Sequence, residues 1–135
     1  MTKVIIGVKG TGKTKILIDM INTALETSKG SVVCVEKGDT LRLAVSYKCR
    51  LINSDEYNVN NAEKLYGFLA GLLASNHDIT DLFIDATFRI CGRDLVAYEK
   101  FLKDANELVN TFNVNLVMTV SMDASLATDY IKSFF

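Results

Sequence analysis

Hydrophobic positions fall into two regimes along this chain. Short unbroken apolar runs occur at Val4-Ile5-Ile6, Val32-Val33-Cys34-Val35, Leu82-Phe83-Ile84 and Leu116-Val117-Met118. Runs of this length, rich in β-branched residues, predict strands buried on both faces. Between them, apolar residues recur every three or four positions. Ile16, Leu17, Met20, Ile21, Ala24 and Leu25 mark one helix. Leu65, Phe68, Leu69, Leu72 and Leu73 mark a second. A third is predicted over 93–112, with Leu95, Tyr98, Phe101, Leu102, Leu108 and Phe112 inward. Strands are predicted over 4–6, 31–36, 50–52, 81–85 and 115–121. Leu41, Leu43, Val45 and Tyr47 alternate imperfectly and predict another. Segment 39–59 admits either a hairpin at the sheet edge or strands in the main sheet. Strands alternating with helices predict an α/β domain, with helices on both faces of a mainly parallel sheet.

The predicted boundaries rest on local chemistry. Gly30 is expected to end the first helix as its C′ residue. Asn60 followed by Glu63 resembles a helix-capping pair. Gly67 and Gly71 form G-x-x-x-G, expected in a buried helix lying close to the sheet. Asp123 or Ser125 is expected to cap a short last helix. The chain has no proline, so tight stops fall to glycine, asparagine and aspartate.

Composition narrows the class. The 135 residues are 49% apolar and 23% charged, with a formal net charge of −1. One domain over 1–135 is expected, and disorder is not. Without a basic excess, general nucleic-acid binding is not expected. The three cysteines, Cys34, Cys49 and Cys91, lack C-x-x-C spacing and have only His77 for company. They predict buried reduced thiols rather than a zinc site. Lys9 and Lys13 interrupt the first apolar run, and no stretch reaches the roughly 20 apolar residues of a membrane span. A cytoplasmic protein is expected.

The strongest chemical signal follows the first strand. Gly7-Val8-Lys9-Gly10-Thr11-Gly12-Lys13-Thr14 matches G-x-x-x-x-G-K-[ST] at every fixed position. Gly7, Gly10 and Gly12 let the backbone turn and aim N–H groups at phosphate oxygens. The following helix would bring its positive N-terminal end beneath them. Lys13 is suited to the β- and γ-phosphates, and the Thr14 hydroxyl to Mg²⁺. Thr11 and Lys9 complete the loop, Lys9 as a solvent-facing residue or an added phosphate contact. Asp85, an acid ending a strand, is the candidate metal carboxylate, with Asp39 and Asp55 as rivals.

These motifs resemble the P-loop NTPases, and the resemblance is specific at the Walker A loop and, less so, at Asp85. It implies a three-layer αβα fold with a small RecA-like core, and ATP and Mg²⁺ as ligands. In many such ATPases a glutamate follows the metal aspartate; here that residue is Ala86. RecA-like members use a glutamate on a neighbouring strand, which points to Glu36 as the base that activates water. A polar residue near the end of an added strand senses the γ-phosphate in one class. Thr119 and Ser121 lie there, and Ser121 is expected in that role. Arg89 and Arg93 are candidates for phosphate contact, for an arginine finger into a second protomer, or for surface ion pairs. Segments 33–39 and 66–73 look like small bacterial P-loop ATP-binding proteins of unsettled function.

Three functions follow from the resemblance. The first is a nucleotide switch or accessory module with slow Mg-dependent ATP hydrolysis, working on a protein partner that the sequence does not identify. The second is a small-molecule, nucleoside-like kinase, from which Ala86 and the absence of a lid-like insertion depart. The third is a non-catalytic interaction protein that binds nucleotide structurally. Several P-loop ATPases complete their site with a second protomer, so a homo-oligomer is compatible with all three.

Overall fold

The computed structural model describes all of residues 1–135. Five strands form one sheet: β1 (Thr2–Gly7), β2 (Ser31–Glu36), β3 (Arg50–Asn53), β4 (Ile79–Ile84) and β5 (Asn115–Ser121). Their spatial order is β1-β5-β4-β2-β3, and every pairing is parallel. The helices are α1 (Lys13–Thr27), α2 (Ala62–Ser75), α3 (Thr87–Cys91), α4 (Leu95–Thr111) and α5 (Asp129–Lys132). Short 3₁₀ turns cover Ser54–Tyr57 and Ala124–Leu126.

Successive side chains on a strand point to opposite faces, and the core divides accordingly. Val4, Val33, Val35, Leu82, Ile84, Leu116, Met118 and Val120 face the larger cluster under α2, α3, α4 and α5. Ile5, Val32, Cys34, Phe83 and Val117 face the other, with Leu17 and Ile21 of α1. Burial on both faces explains why the strands read as continuous apolar runs. The result is a three-layer α/β arrangement. No helix is long and apolar enough to cross a membrane.

Several expectations are corrected. The alternation at 41–47 forms no strand: residues 40–44 are turns, and Leu41 and Val45 turn inward onto the α1 face. Turn hydrogen bonds hold the segment, with Ala44 and Val45 N–H donating to the Leu41 carbonyl at 3.0 and 3.1 Å. Strand β3 joins the main sheet parallel to β2, so the edge hairpin does not form. Helix α4 starts at Leu95 because the Asp94 carboxylate accepts from Val96 N and Ala97 N. Its buried stripe runs Tyr98, Phe101, Leu102, Ala105 and Val109. Phe112, expected inward, lies past the helix end and is 54% exposed.

The boundaries at Gly30 and Asn60 shift for local reasons. Helix α1 ends at Thr27 with Ser28 as its cap. Gly30 is needed instead for close approach, since a Cβ there would lie 2.2 Å from the Asp78 carbonyl oxygen. The α2 cap is Asn61, whose side chain accepts from Lys64 N. Gly67 and Gly71 are exposed on the outer side of α2, with nothing within 4 Å of an added Cβ. The apolar stripe Leu65, Leu69 and Leu73 faces the sheet instead. At the C-terminal end, Asp123 caps the 3₁₀ turn and Thr128 caps α5.

Candidate functional site

The strands all point the same way, so their C-terminal ends form one rim. Parallel register aligns Gly7 with Ser121 and Ile84 with both Met118 and Val35. Gly7, Ser121, Asp85 and Glu36 therefore lie along that rim, where open α/β sheets place their ligands. Loop 7–14 leaves β1 there and enters α1.

The loop is shaped by backbone geometry. Gly10 and Gly12 have φ of 86° and 84°, the left-handed region that glycine adopts without strain. Gly12 is the α1 N-cap and supplies no side-chain hydrogen bond. The first-turn N–H groups of α1 thus keep no side-chain acceptor, and no acidic residue occupies that turn. Thr11 Oγ1 and Lys13 Nζ both donate to the Val8 carbonyl, at 2.8 and 2.9 Å. Burial lowers the Lys13 pKa from its ordinary value, and the Asp85 carboxylate opposes that shift. Lys13 is buried and borders the cleft.

Asp85 stands one residue past β4 and is buried. Its backbone N–H donates to the Val35 carbonyl at 3.0 Å. Thr14 Oγ1 lies 3.3 Å from each carboxylate oxygen. Thr119 Oγ1 donates to Asp85 Oδ1 at 2.8 Å and accepts from Ala86 N at 2.7 Å. Ala86 has φ of 52°, a left-handed conformation that a non-glycine residue adopts at a cost. Thr119 therefore grips both the carboxylate and the strained peptide beside it.

Loop 7–14 and these residues border an open cleft of about 890 Å³. Lys9, Lys13, Arg89 and Arg93 give it four cations against the single carboxylate of Asp85. A chain of net charge −1 has thus concentrated positive charge at one place. Neither arginine forms a carboxylate ion pair; the protein's salt bridges are Lys37–Asp55, Arg42–Asp39 and Lys100–Asp104. Arg93 Nη1 donates to the Ser121 carbonyl at 3.2 Å, and its guanidinium lies 5.9 Å from the Phe88 ring centroid. Thr40 and Ser121 add hydroxyls to the lining.

Glu36 is placed differently from the cleft residues. It is buried at the end of β2, beside the Asp85 strand. Its carboxylate accepts from Thr40 Oγ1 at 2.8 Å and from Leu41 N at 3.1 Å. Both oxygens hold the turn after β2, and the residue that reaches the cleft is Thr40. Asp39 and Asp55 are exposed and ion-paired elsewhere, outside the cleft lining. Burial pushes the Cys49 and Cys91 thiols up to about 11 and Cys34 well above its ordinary value, so all three stay protonated at neutral pH.

The grip of Thr119 was not legible beforehand, because it depends on β5 lying between β1 and β4. The only sequence signal was a polar residue interrupting an apolar strand. Short α3, which carries Arg89, was equally hidden, since five residues show no periodicity. Hydroxyl and carboxylate oxygens at Thr14 and Asp85 are the hard donors that Mg²⁺ takes. No three His, Cys, Asp or Glu side chains converge anywhere in the protein. No protein-family model matches the chain, and no curated protein matches it significantly.

Proposed function

We propose that this chain is a P-loop protein of RecA-like type that binds ATP with Mg²⁺ in the rim cleft. It hydrolyses that ATP slowly and acts as a nucleotide switch or accessory module for a protein partner. One observation carries the reading: the glycine loop after β1 brings the Thr14 hydroxyl to both oxygens of Asp85, 71 residues away. A chance glycine turn has no reason to end against a buried carboxylate just past the end of β4, which β5 separates from β1. The position of β5 between β1 and β4 supports the same class.

In this reading Lys13 gives up the Val8 carbonyl for β- and γ-phosphate oxygens. The loop N–H groups and the α1 N-terminus cradle the phosphates. Thr14 and Asp85 would hold Mg²⁺, which would supply positive charge against the phosphate oxygens. Thr119 keeps the Asp85 carboxylate aimed. A cytoplasmic setting, with thiols kept reduced, suits such a protein.

Turnover is slow in this account for a structural reason. Ala86 carries no base, and the Glu36 carboxylate is occupied by Thr40 and Leu41. The same observation favours a second reading, nucleotide binding without turnover. A single-turnover assay, with protein in excess over Mg-ATP, separates the two. Phosphate release faster than in the protein-free control, abolished by Lys13→Ala, supports the switch with hydrolysis. Tight ATP binding without release supports the non-catalytic form.

A further inference from the structure

The two arginines of the cleft have no carboxylate to satisfy them, yet one is held in place. Arg93 is exposed, and an exposed arginine ordinarily samples many rotamers in water. Here its guanidinium packs over Phe88 and donates one hydrogen bond to the Ser121 carbonyl. Ser121 pairs in register with Gly7, the first residue of the glycine loop. The Arg93 head is thus anchored one strand from the point where that loop begins. An arginine carries five donors in a planar fork, and the structure gives this one a single acceptor.

The backbone contributes to the placement. Gly92 has φ of 85° and turns the chain between α3 and α4. Asp94 then caps α4 through Val96 N and Ala97 N. Arg93 thus lies between a glycine turn and the cap of α4. Arg89, on α3, borders the same cleft without a hydrogen-bonded or ion-pair partner of its own. Lys13 and the α1 N-terminus supply one wall of positive charge, and the arginines supply a second near Ser121.

We propose that Arg93, assisted by Arg89, binds the terminal phosphate of a nucleoside triphosphate in cis, so that this chain tells triphosphate from diphosphate with its own guanidinium groups. The inference rests on the nucleotide reading above and deepens it. The planar fork matches phosphate oxygens, and the stacked, tethered side chain is already organised to meet them. Losing the terminal phosphate frees both arginines, which gives the switch its diphosphate state.

Equilibrium binding of Mg-ATP and Mg-ADP to the full chain tests this. Arg93→Ala should weaken ATP on the order of tenfold, the scale of a charge-assisted hydrogen bond, while ADP affinity stays within about twofold. Arg93→Lys, which keeps the charge but not the fork, should narrow the ATP-to-ADP preference in the same direction. Equal losses for both nucleotides, or no loss for either, overturn the proposal. So does an unchanged preference combined with loss of inorganic phosphate binding to the ADP-loaded protein, which would assign the arginines to a separate anion. Wild-type protein that binds neither nucleotide overturns the underlying reading as well. A change confined to Arg93 variants leaves that reading standing.

Discussion

Asp85 depends on a residue of another strand for its aim. Its carboxylate is buried, and a buried charge needs partners to offset lost hydration. Thr14 approaches from the loop, and Thr119 donates from β5 at 2.8 Å. The same Thr119 oxygen accepts from the strained Ala86 peptide. Replacing Thr119 by valine keeps shape and removes both bonds. Hydrogen bonds to charged groups contribute about 1.5–3 kcal/mol, so Thr119→Val should destabilise the fold by roughly that amount. It should also weaken Mg-dependent ATP binding more than metal-free binding, whereas Thr119→Ser restores both. Titrations with and without Mg²⁺ check this, and equal losses in the two conditions would detach Thr119 from the metal acid. Ser121, expected from sequence to face the phosphate, borders the cleft and offers its carbonyl to Arg93. Residue types were readable in advance; which hydroxyl meets the acid was set by strand order.

Among elements, the turn after β2 shows how a buried acid can shape a cleft from behind. Glu36 spends its carboxylate on Thr40 and on the Leu41 backbone. Leu41 then enters the α1-side core, and Thr40 stands at the cleft edge. Glu36→Gln exchanges one accepting oxygen for an amide N–H that the Thr40 hydroxyl can accept, and turns both charge-assisted hydrogen bonds into weaker neutral ones. It should lower stability by about 1–3 kcal/mol. The denaturation midpoint reads that loss, and single-turnover kinetics at saturating ATP should stay within about twofold if Glu36 acts only through this turn. A large fall in turnover at unchanged stability would return Glu36 to the role of base. Strands β2 and β5 match the ranges predicted from their apolar runs at both ends, because burial on both faces leaves an unbroken signal. The 41–47 alternation misled because a turn can also send every fourth residue inward. Gly30 misled for a different reason, since its constraint is a neighbouring carbonyl rather than the helix end.

For the whole molecule, the parallel sheet brings distant segments to one rim. Loop 7–14, Asp85, Arg93 and Ser121 meet because β1, β5 and β4 are adjacent and point the same way. The turns of the glycine loop were legible from spacing alone, since a positive φ at Gly10 and Gly12 is a local property. Arg89 and Arg93 were candidates from sequence, but their place beside the loop was not legible, since it depends on how α3 and α4 pack over β5. Positive charge collects at that rim in a chain whose formal net charge is −1. In the proposed function this rim binds a nucleoside triphosphate through Lys13. Equilibrium titration of Mg-ATP into the wild-type chain and Lys13→Ala, with folding checked by circular dichroism, tests it most directly. Saturable binding to wild type is expected, with a loss on the order of a hundredfold in the folded variant, about 3 kcal/mol for a desolvated charge contact. Equal affinity of the two proteins for Mg-ATP would contradict it.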